Sequence, residues 1–358
     1  MKFKGFLKKK KIVISAKKYG IDAMSAMAQG LFASLLIGTI LKTIGQQFGI
    51  DVLTTVGNFA ADTKAHPEVQ GAAMAVAIGY ALECPPLVLF SLVTVGAAAN
   101  ILGGAGGPLA VFFVAVIASE FGKAVSKETK VDILVTPAVT VTVGVLISLA
   151  CGPWLGKAAS AVGSAIMWAT VQKPFIMGIL VSVIVGIALT LPISSAAICA
   201  ALGITGLAGG AALAGCCTQM IGFAVMSFKE NGWGGFFAQG IGTSMLQMGN
   251  IVKNPKIWLP PIIASAITGP VATCIFKLTM DGAAVSSGMG TCGLVGQIGV
   301  YTGWLSNIES GAMTSITAFN WLGLILISFV LPAVITYVIS IPFRKFGWIK
   351  ENDLKLDI

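Results

Sequence analysis

The chain has 358 residues, of which 56% are apolar and only 10% are charged, and its mean hydropathy is +0.90. Soluble domains carry about 25% charged residues, so this composition excludes a disordered chain, a secreted disulfide scaffold and a water-soluble enzyme. It predicts an all-α integral membrane protein with several crossings.

Residues 1–18 form a basic arm with eight lysines and no acidic residue. The net charge of the whole chain is +9, so nearly all of it lies in this arm. A basic run alone could bind nucleic acid, but a long apolar segment follows at once. We therefore expect no nucleic-acid partner. The arm is expected to lie at the cytoplasmic face against anionic lipid, without signal-peptide cleavage.

Long stretches without Asp, Glu, Lys or Arg mark the crossings: 84–119, 133–156, 158–172, 174–228, 257–276, 282–308 and 310–343. A crossing takes about 20 residues. The first span is predicted at 22–44 and the last at 318–341, and basic residues lie outside both. The positive-inside rule then places both termini in the cytoplasm, with about ten transmembrane helices in all. The membrane domain would cover 19–345, followed by a cytoplasmic tail at 346–358.

Glycine clusters interrupt three of these stretches, at 103–107, 206–210 and 288–293. Small residues also allow close helix packing in membranes, which is one interpretation. The other is a broken helix or re-entrant hairpin, which is tolerated where the backbone faces protein or a water-filled cavity. The clusters follow helix-breaking prolines by a dozen or more residues, and this favours broken helices and re-entrant hairpins.

An internal repeat is suggested when the chain is aligned with itself. One constant shift aligns Pro85 with Pro192, Gly96 with Gly203, Gly103 with Gly210, and Phe121 with Phe228. The predicted copies are 69–171 and 174–312, and the second contains an insertion near 229–253 that we expect to be an interfacial amphipathic helix. If each copy has an odd number of crossings, the repeats are inverted, as in many transporters.

Polar side chains in or beside the broken segments are the candidate solute contacts. An ionisable residue within a span costs about 2.5–3.5 kcal/mol, so a carboxylate there is expected to have a function, and Glu83 and Glu309 are candidates. The alternative for Glu83 is a carboxylate at the membrane surface, and the alternative for Glu309 is a place in a polar loop. Asp281 and Lys277, one helical turn apart, are expected to form an interfacial ion pair. For amides and hydroxyls the alternative is interhelical hydrogen bonding, worth about 0.6 kcal/mol each. The predicted substrate-binding residues are Glu83, Asn100, Thr205, Gln219, Gln297 and Glu309.

No residue pattern points to a cofactor, a metal ion or a catalytic centre. The seven cysteines are scattered without metal-type spacing, and His66 is the single histidine. A P-loop, an HExxH motif and a CxxC motif are all missing. We therefore expect no cofactor, no metal site and no enzymatic activity.

Polar and glycine-rich motifs recur in the second half of the chain. They are Asn231-Gly232-Trp233-Gly234-Gly235, Gly242-Thr243-Ser244-Met245-Leu246-Gln247, Asn250-Ile251-Val252-Lys253-Asn254-Pro255, Ala266-Ile267-Thr268-Gly269-Pro270, and Gly288-Met289-Gly290-Thr291-Cys292-Gly293-Leu294-Val295-Gly296-Gln297. This pattern resembles the EIIC-like membrane proteins of the sugar phosphotransferase system. It is most similar to the divergent branch that includes the perfringolysin-regulator-like proteins, and the resemblance covers nearly the whole chain.

The resemblance implies an EIIC-like transporter fold: a homodimer with inverted repeats and re-entrant hairpins, in which a substrate domain moves against a dimer scaffold. In several typical sugar EIIC proteins a glutamate at the sugar follows a Gly-Ile-Thr sequence. Here Gly203-Ile204-Thr205 is followed by Gly206. We expect no fused EIIB or EIIA domain, and an EIIB-type partner would then be a separate protein.

These observations predict a multi-pass cell-membrane permease that binds and translocates a small polar solute, such as a sugar or sugar-like metabolite, by alternating access. The alternative is a membrane sensor or regulator with an EIIC-like fold that binds a ligand without transporting it. The lysine arm would then be its main cytoplasmic surface.

Overall fold

The computed structural model describes residues 6–7, 9–61 and 66–356. Residues 1–5 and 8 of the basic arm and 357–358 of the tail lie outside the described residues. Throughout the described part the protein is helical, with no β-strand, so the prediction of an all-α membrane fold is confirmed. Six of the described helices are long and apolar enough to cross a membrane. The total of about ten crossings stays a prediction.

The chain divides into two compact units, Met1–Ala158 and Ala159–Ile358. The helices of the first unit are α1 (Ala23–Leu31), α2 (Ile37–Phe48), α3 (Asp51–Ala61), α4 (Pro67–Ala81), α5 (Pro86–Gly103), α6 (Gly107–Val125) and α7 (Asp132–Thr170), the last of which continues into the second unit. A π turn joins α1 to α2, so Lys18–Gln46 forms one continuous apolar rod. In this unit, α4 packs against α1, α5 and α6.

Prolines and glycines set the helix boundaries in the first unit. Proline occupies the first turn of α4, α5 and α6, where its missing N–H costs no hydrogen bond. Gly104, with a φ of +52°, breaks the apolar run Pro86–Val125 into α5 and α6, which pack on each other. Gly71 of α4 and Gly96 of α5 meet so closely that a Cβ on either would overlap the other's carbonyl oxygen.

The helices of the second unit are α8 (Pro174–Thr190), α9 (Ser195–Leu202), α10 (Gly206–Met226), α11 (Phe228–Phe237), α12 (Met248–Lys253), α13 (Leu259–Pro270), α14 (Val295–Glu309), α15 (Ala318–Ile325) and α16 (Leu331–Lys345). The centre of this unit is α10, which α8, α13 and α16 surround. A Cβ at Gly215 of α10 would overlap the carbonyl oxygen of Ser182 of α8. Small residues thus bring the central helix close to its neighbours, as expected of helices packed within a membrane.

The predicted amphipathic helix at 229–253 is wrong. Gly232 has a φ of +58° and kinks α11, which is followed by a π turn (Ala238–Gly242), a 3-10 turn (Ser244–Gln247) and α12. Gln239 and Gln247 are fully buried, whereas an amphipathic helix would expose its polar side. Their amides are hydrogen-bonded inside the protein, so this polar side of the segment faces protein and not the membrane surface.

Helix order follows the predicted repeat. Pro67 begins α4 and Pro174 begins α8, and these two prolines are related by the same shift that aligns Pro85 with Pro192. In the first unit, α4 leads through a proline-containing turn to α5, which ends at a glycine break before α6. In the second unit, α8, α9 and α10 follow the same order. The repeat and its inversion stay predictions.

Candidate functional site

The first of two chain breaks in the second unit lies between α9 and α10. Gly203 and Gly206 have φ angles of +62° and +61°, a conformation that strongly favours glycine. Thr205 between them is extended and exposed, and its side chain does not cap α10. Gly203 therefore ends α9 and Gly206 begins α10, so the N-terminus of this 21-residue helix lies at the break.

The second break follows α13. The helix passes into a π turn at Val271–Ile275, and the next helical turn begins at Ala284. In between, Lys277 has a φ of +46°, an uncommon conformation for a residue with a Cβ. The Leu278 N–H donates to the Ala272 carbonyl oxygen at 2.9 Å and turns the chain back.

These two breaks pair with each other. Gly206 and Met280 exchange two backbone hydrogen bonds, both of 3.0 Å. A Cβ at Gly210 would overlap the Leu278 carbonyl oxygen, and one at Gly209 would lie 2.8 Å from the Ser287 hydroxyl. We call this arrangement, residues 203–210 with 276–283, the crossing. Its backbones approach so closely because glycines stand where side chains would collide.

Asp281 is the acidic residue at the crossing. Its Oδ2 accepts hydrogen bonds from the Thr279 hydroxyl at 2.7 Å and from the Asn307 amide at 2.9 Å. Its Oδ1 lies 4.0 Å from a Cβ built on Gly206. The carboxylate therefore lies beside the N-terminus of α10, where the helix dipole favours a negative charge. Its half-buried side chain keeps acceptor capacity on Oδ1.

A cavity of about 70 Å³ lies next to these groups. Its polar lining includes Thr279, Asn307 and Asn320, and its apolar lining includes Trp304 and Phe319. Aromatic walls with a few convergent polar groups are typical of small-molecule sites. Such sites usually measure about 300–1,000 Å³, so this cavity is too small for a drug-sized or sugar-sized ligand in the present conformation.

Gln219 is fully buried and lies in a separate hydrogen-bond network. Its Oε1 accepts from the Trp258 indole N–H at 2.9 Å and from the Thr190 hydroxyl at 3.3 Å, and its Nε2 donates to the Ser265 hydroxyl at 3.4 Å. Thr190 also shares a 2.8 Å hydrogen bond with Ser244. The network joins α8, α10 and α13, which is the interhelical role considered as the alternative for this residue.

Gln297 on α14 contacts the opposite side of α10. Its Nε2 donates to the Ser328 hydroxyl at 2.9 Å and to the Cys217 sulfur at 3.3 Å. Its Oε1 is buried without a hydrogen-bond partner among the described residues. A buried acceptor without a hydrogen bond costs free energy. Gln297 Oε1 is therefore more available to accept a hydrogen bond from a ligand than Gln219 Oε1, which already accepts two.

Glu83 lies at a surface in the first unit. Its two carboxylate oxygens pair with the ammonium groups of Lys11 at 2.8 Å and Lys18 at 3.2 Å, and 54% of its side chain is exposed. The hydrogen bonds from Lys11 and Lys18 hold the pKa of the Glu83 carboxyl below its ordinary value. This placement matches the alternative given for Glu83, a surface carboxylate at the end of a short helix.

The six predicted residues are divided between the two units. Glu83 and Asn100 belong to the first unit, where Asn100 packs against Gly71 and Gly107. The other four belong to the second unit. Of these, Thr205 lies at the crossing, and Glu309 is exposed at the end of α14.

Asp281, Thr279 and Asn307 were not among the predicted site residues. The sequence interpretation paired Asp281 with Lys277 because their spacing corresponds to one helical turn. The chain is not helical there, and Asp281 accepts from Thr279 and Asn307 instead. A usable signal was present, because Asp281 is one of only two charges between 257 and 308.

Metal binding has no obvious place in the described part of the chain. No group of three or more His, Cys, Asp or Glu side chains there is arranged to hold a metal ion.

Comparison with known families settles the relationship of the chain. The family described as "Phosphotransferase system, EIIC" matches residues 21–356. The chain belongs to this family. Its apolar helices and this membership identify a membrane protein, a transporter component that works with other proteins of the phosphotransferase system. In the same comparisons, no curated protein and no solved structure gave a match.

Proposed function

We propose that this EIIC-family protein binds a small polar, uncharged solute, such as a sugar, at the crossing and translocates it by alternating access. The observation that carries the proposal is the placement of the Asp281 carboxylate beside the break at Gly206. In typical sugar EIIC proteins, by the resemblance described above, a glutamate follows the Gly-Ile-Thr sequence. Gly206 takes that place here, and Oδ1 of Asp281 lies 4.0 Å from where its Cβ would be.

Asp281 would accept hydrogen bonds from solute hydroxyls. Thr279 and Asn307 already hold the carboxylate through Oδ2, so Oδ1 is oriented before the solute arrives. Trp304 in the adjoining cavity would provide an apolar surface for the carbon face of the solute. Thr205, exposed at the start of α10, would contribute a hydroxyl.

The small cavity supports a mechanism in which the site changes shape. A site of about 70 Å³ cannot hold a sugar unless its walls move. Matching helix orders in the two units, with α4 and α8 starting at prolines that the repeat aligns, support an internal repeat. With an odd number of crossings in each copy, that repeat would be inverted and would give a site that opens to either side in turn.

Assembly and orientation follow from the resemblance and from the charges. We infer a homodimer in the cell membrane, with both termini in the cytoplasm because basic residues flank the first and last spans. The long helix α7 carries many exposed apolar side chains, including Leu146, Leu149 and Trp154, which lipid or a second copy would cover. A separate EIIB-type protein would be the cytoplasmic partner.

A ligand screen followed by one substitution tests the proposal. Purified protein is screened by thermal shift against sugars, polyols, nucleosides and vitamins, since a bound solute stabilises the folded state by mass action. Asp281→Asn should then weaken binding of the stabilising solute by about ten- to hundredfold, the worth of a hydrogen bond to a charged acceptor.

Glu309→Gln is the matched control, because Glu309 is exposed at the end of the helix that carries Asn307. If both variants bound the solute as tightly as the unmodified protein, Asp281 would be removed from the site. Uptake into proteoliposomes distinguishes a permease from a sensor, which would bind the solute without accumulating it.

A further inference from the structure

The tail, residues 346–356, returns from α16 to the motif segment 231–254. The side chain of Asn231 makes two hydrogen bonds to the main chain of the tail, both of 2.8 Å. Its Nδ2 donates to the Leu354 carbonyl oxygen, and its Oδ1 accepts from the Leu356 N–H. The amide of Asn231 thus binds one N–H donor and one carbonyl acceptor of the peptide backbone at the same time.

Two further amides bind the same stretch. Gln247 Nε2 donates to the Leu354 carbonyl oxygen at 3.0 Å, and Asn250 Nδ2 donates to the Lys355 carbonyl oxygen at 2.8 Å. A fourth amide, that of Asn254, donates to the Trp348 carbonyl oxygen at 2.8 Å. We call Asn231, Gln247, Asn250 and Asn254 the amide cleft.

Hydrogen bonds that do not involve the tail hold two of these amides in place. Gln247 Nε2 donates to Gln239 Oε1 at 2.9 Å, and Gln239 Nε2 donates to the Ser227 hydroxyl at 2.9 Å. Gln247 Oε1 in turn accepts from Asn250 Nδ2 at 2.9 Å. Because this chain of amides is complete within the segment, the cleft is pre-organised for a ligand.

Apolar sockets add selectivity to the backbone contacts. Leu354 is fully buried and Leu356 is 8% exposed, while Lys355 between them is exposed. Most of these amide contacts go to main-chain groups and suit a peptide of any sequence; the exception is Asn254 Nδ2, which also donates to Asp353 Oδ2 at 2.8 Å. The two leucine sockets restrict the sequence to Leu-x-Leu. The segment has the features of a peptide-binding site.

We propose that the amide cleft is a peptide-binding site and that residues 348–356 are its resident, exchangeable ligand. The occupant is the protein's own tail, and a free peptide of the same sequence competes with it. This site is separate from the crossing and does not depend on the solute proposed above.

Exchange of the tail for a free peptide is physically reasonable because most of the charged side chains of the tail remain exposed and are not tied into the cleft. Its charged side chains Lys350, Glu351 and Lys355 are exposed, and the ion pair of Glu351 with Lys229 joins two side chains that are 73% and 78% exposed. Exposed pairs contribute little. When the tail leaves, water can solvate the amides of the cleft, so release costs chiefly the burial of Leu354, Leu356 and Ile349, the last of which is 2% exposed.

Peptide binding to the full-length chain is the test. A fluorescent peptide of residues 346–358 is titrated by polarisation against the unmodified protein and against a full chain carrying Leu354→Asp and Leu356→Asp, which places charges in both sockets and displaces the tail. The peptide should bind the displaced-tail protein at least about tenfold more tightly, because in the unmodified protein it competes with a tethered tail at high effective concentration. A peptide with Leu354→Asp should not bind, and Asn250→Ala in the displaced-tail protein should weaken binding.

Proteolysis of the unmodified protein gives a second, independent measurement. The bond after Lys355 should resist trypsin, because the Leu356 N–H is held by Asn231. Excess free peptide should accelerate this cleavage, and the Leu354→Asp peptide should not. Equal peptide binding by both proteins, or cleavage that is insensitive to the peptide, would overturn the proposal. Neither readout involves solute, so its failure is distinguishable from failure of the solute site.

Discussion

The close approach of backbones at the crossing can be tested at Gly210. In Gly210→Ala the new Cβ would lie under 3.0 Å from the Leu278 carbonyl oxygen, whereas ordinary van der Waals contact begins at 3.4 Å. This oxygen belongs to the backbone, so it cannot rotate away as a flexible side chain would. Either α10 or the segment at 276–283 must shift, and both are tied by the two hydrogen bonds between Gly206 and Met280.

The cost of that shift can be bounded. Overpacking a well-packed site costs about 1–3 kcal/mol, and a fixed backbone obstacle places Gly210→Ala at the upper end, about 3 kcal/mol. At roughly 2–4 °C per kcal/mol, the midpoint of thermal denaturation in detergent should fall by roughly 6–12 °C. The solute affinity should also fall, because Asp281 moves with the segment.

Gly234→Ala is the matched control. Gly234 lies in helix α11 with nothing within 4 Å of an added Cβ, so alanine should be neutral or stabilise the protein by up to about 1 kcal/mol. The two variants are compared by thermal denaturation and by binding of the solute found in the screen. If Gly210→Ala behaved like Gly234→Ala, the two breaks would not be in contact and the crossing as described would be refuted.

Two other predictions concern ion pairs. Glu83→Gln should raise hydrogen exchange at residues 9–18 by roughly two- to fivefold at neutral pH. Since the folded pKa of Glu83 is lowered, its contribution is present above the unfolded pKa of about 4.3 and is lost as the pH falls through the lower folded value; the variant should lack this pH dependence. Arg344→Met should destabilise the protein by about 3 kcal/mol, because Glu230, with a side chain only 2% exposed, loses the guanidinium 2.9 Å away. Adding Glu230→Gln should recover at least half of the loss in thermal denaturation, and an unchanged Arg344→Met protein would contradict the buried pair.

Composition and glycine spacing were sufficient to predict the class of the protein and the first of the two breaks at the crossing, but not the second, at 276–283. Most of the charge-free stretches overlap apolar helices, and the cluster at 206–210 lies where one helix ends and the next begins. Thr205 was placed at that break from the sequence. These features are local, because a glycine at positive φ and a proline in a first helical turn act on their own neighbourhood.

The contacts of the polar residues could not be predicted in the same way, because they depend on distant segments. Asp281 was assigned to an ion pair by helical spacing, which fails where the chain leaves the helix. Gln219 and Gln247 have the same side chain, yet one joins three helices and the other binds the tail. Nothing in the local sequence separates these roles, since the partners that define them lie on other helices or on the tail.

The crossing also limits how the cavity beside it can open. Separating its two breaks would cost the paired hydrogen bonds of Gly206 and Met280, and the glycine contacts leave no room for them to slide. Trp304 and Phe319 also line the cavity and belong to α14 and α15. An exposed stretch at 310–317 links these two helices and contains the positive-φ Gly311. Helix α14 is itself held to the crossing, because a Cβ at Gly303 would lie 2.8 Å from the Asp281 backbone and the Asn307 amide donates to Asp281. We therefore expect the solute to enter by movement of α15, while α14 and the crossing stay together.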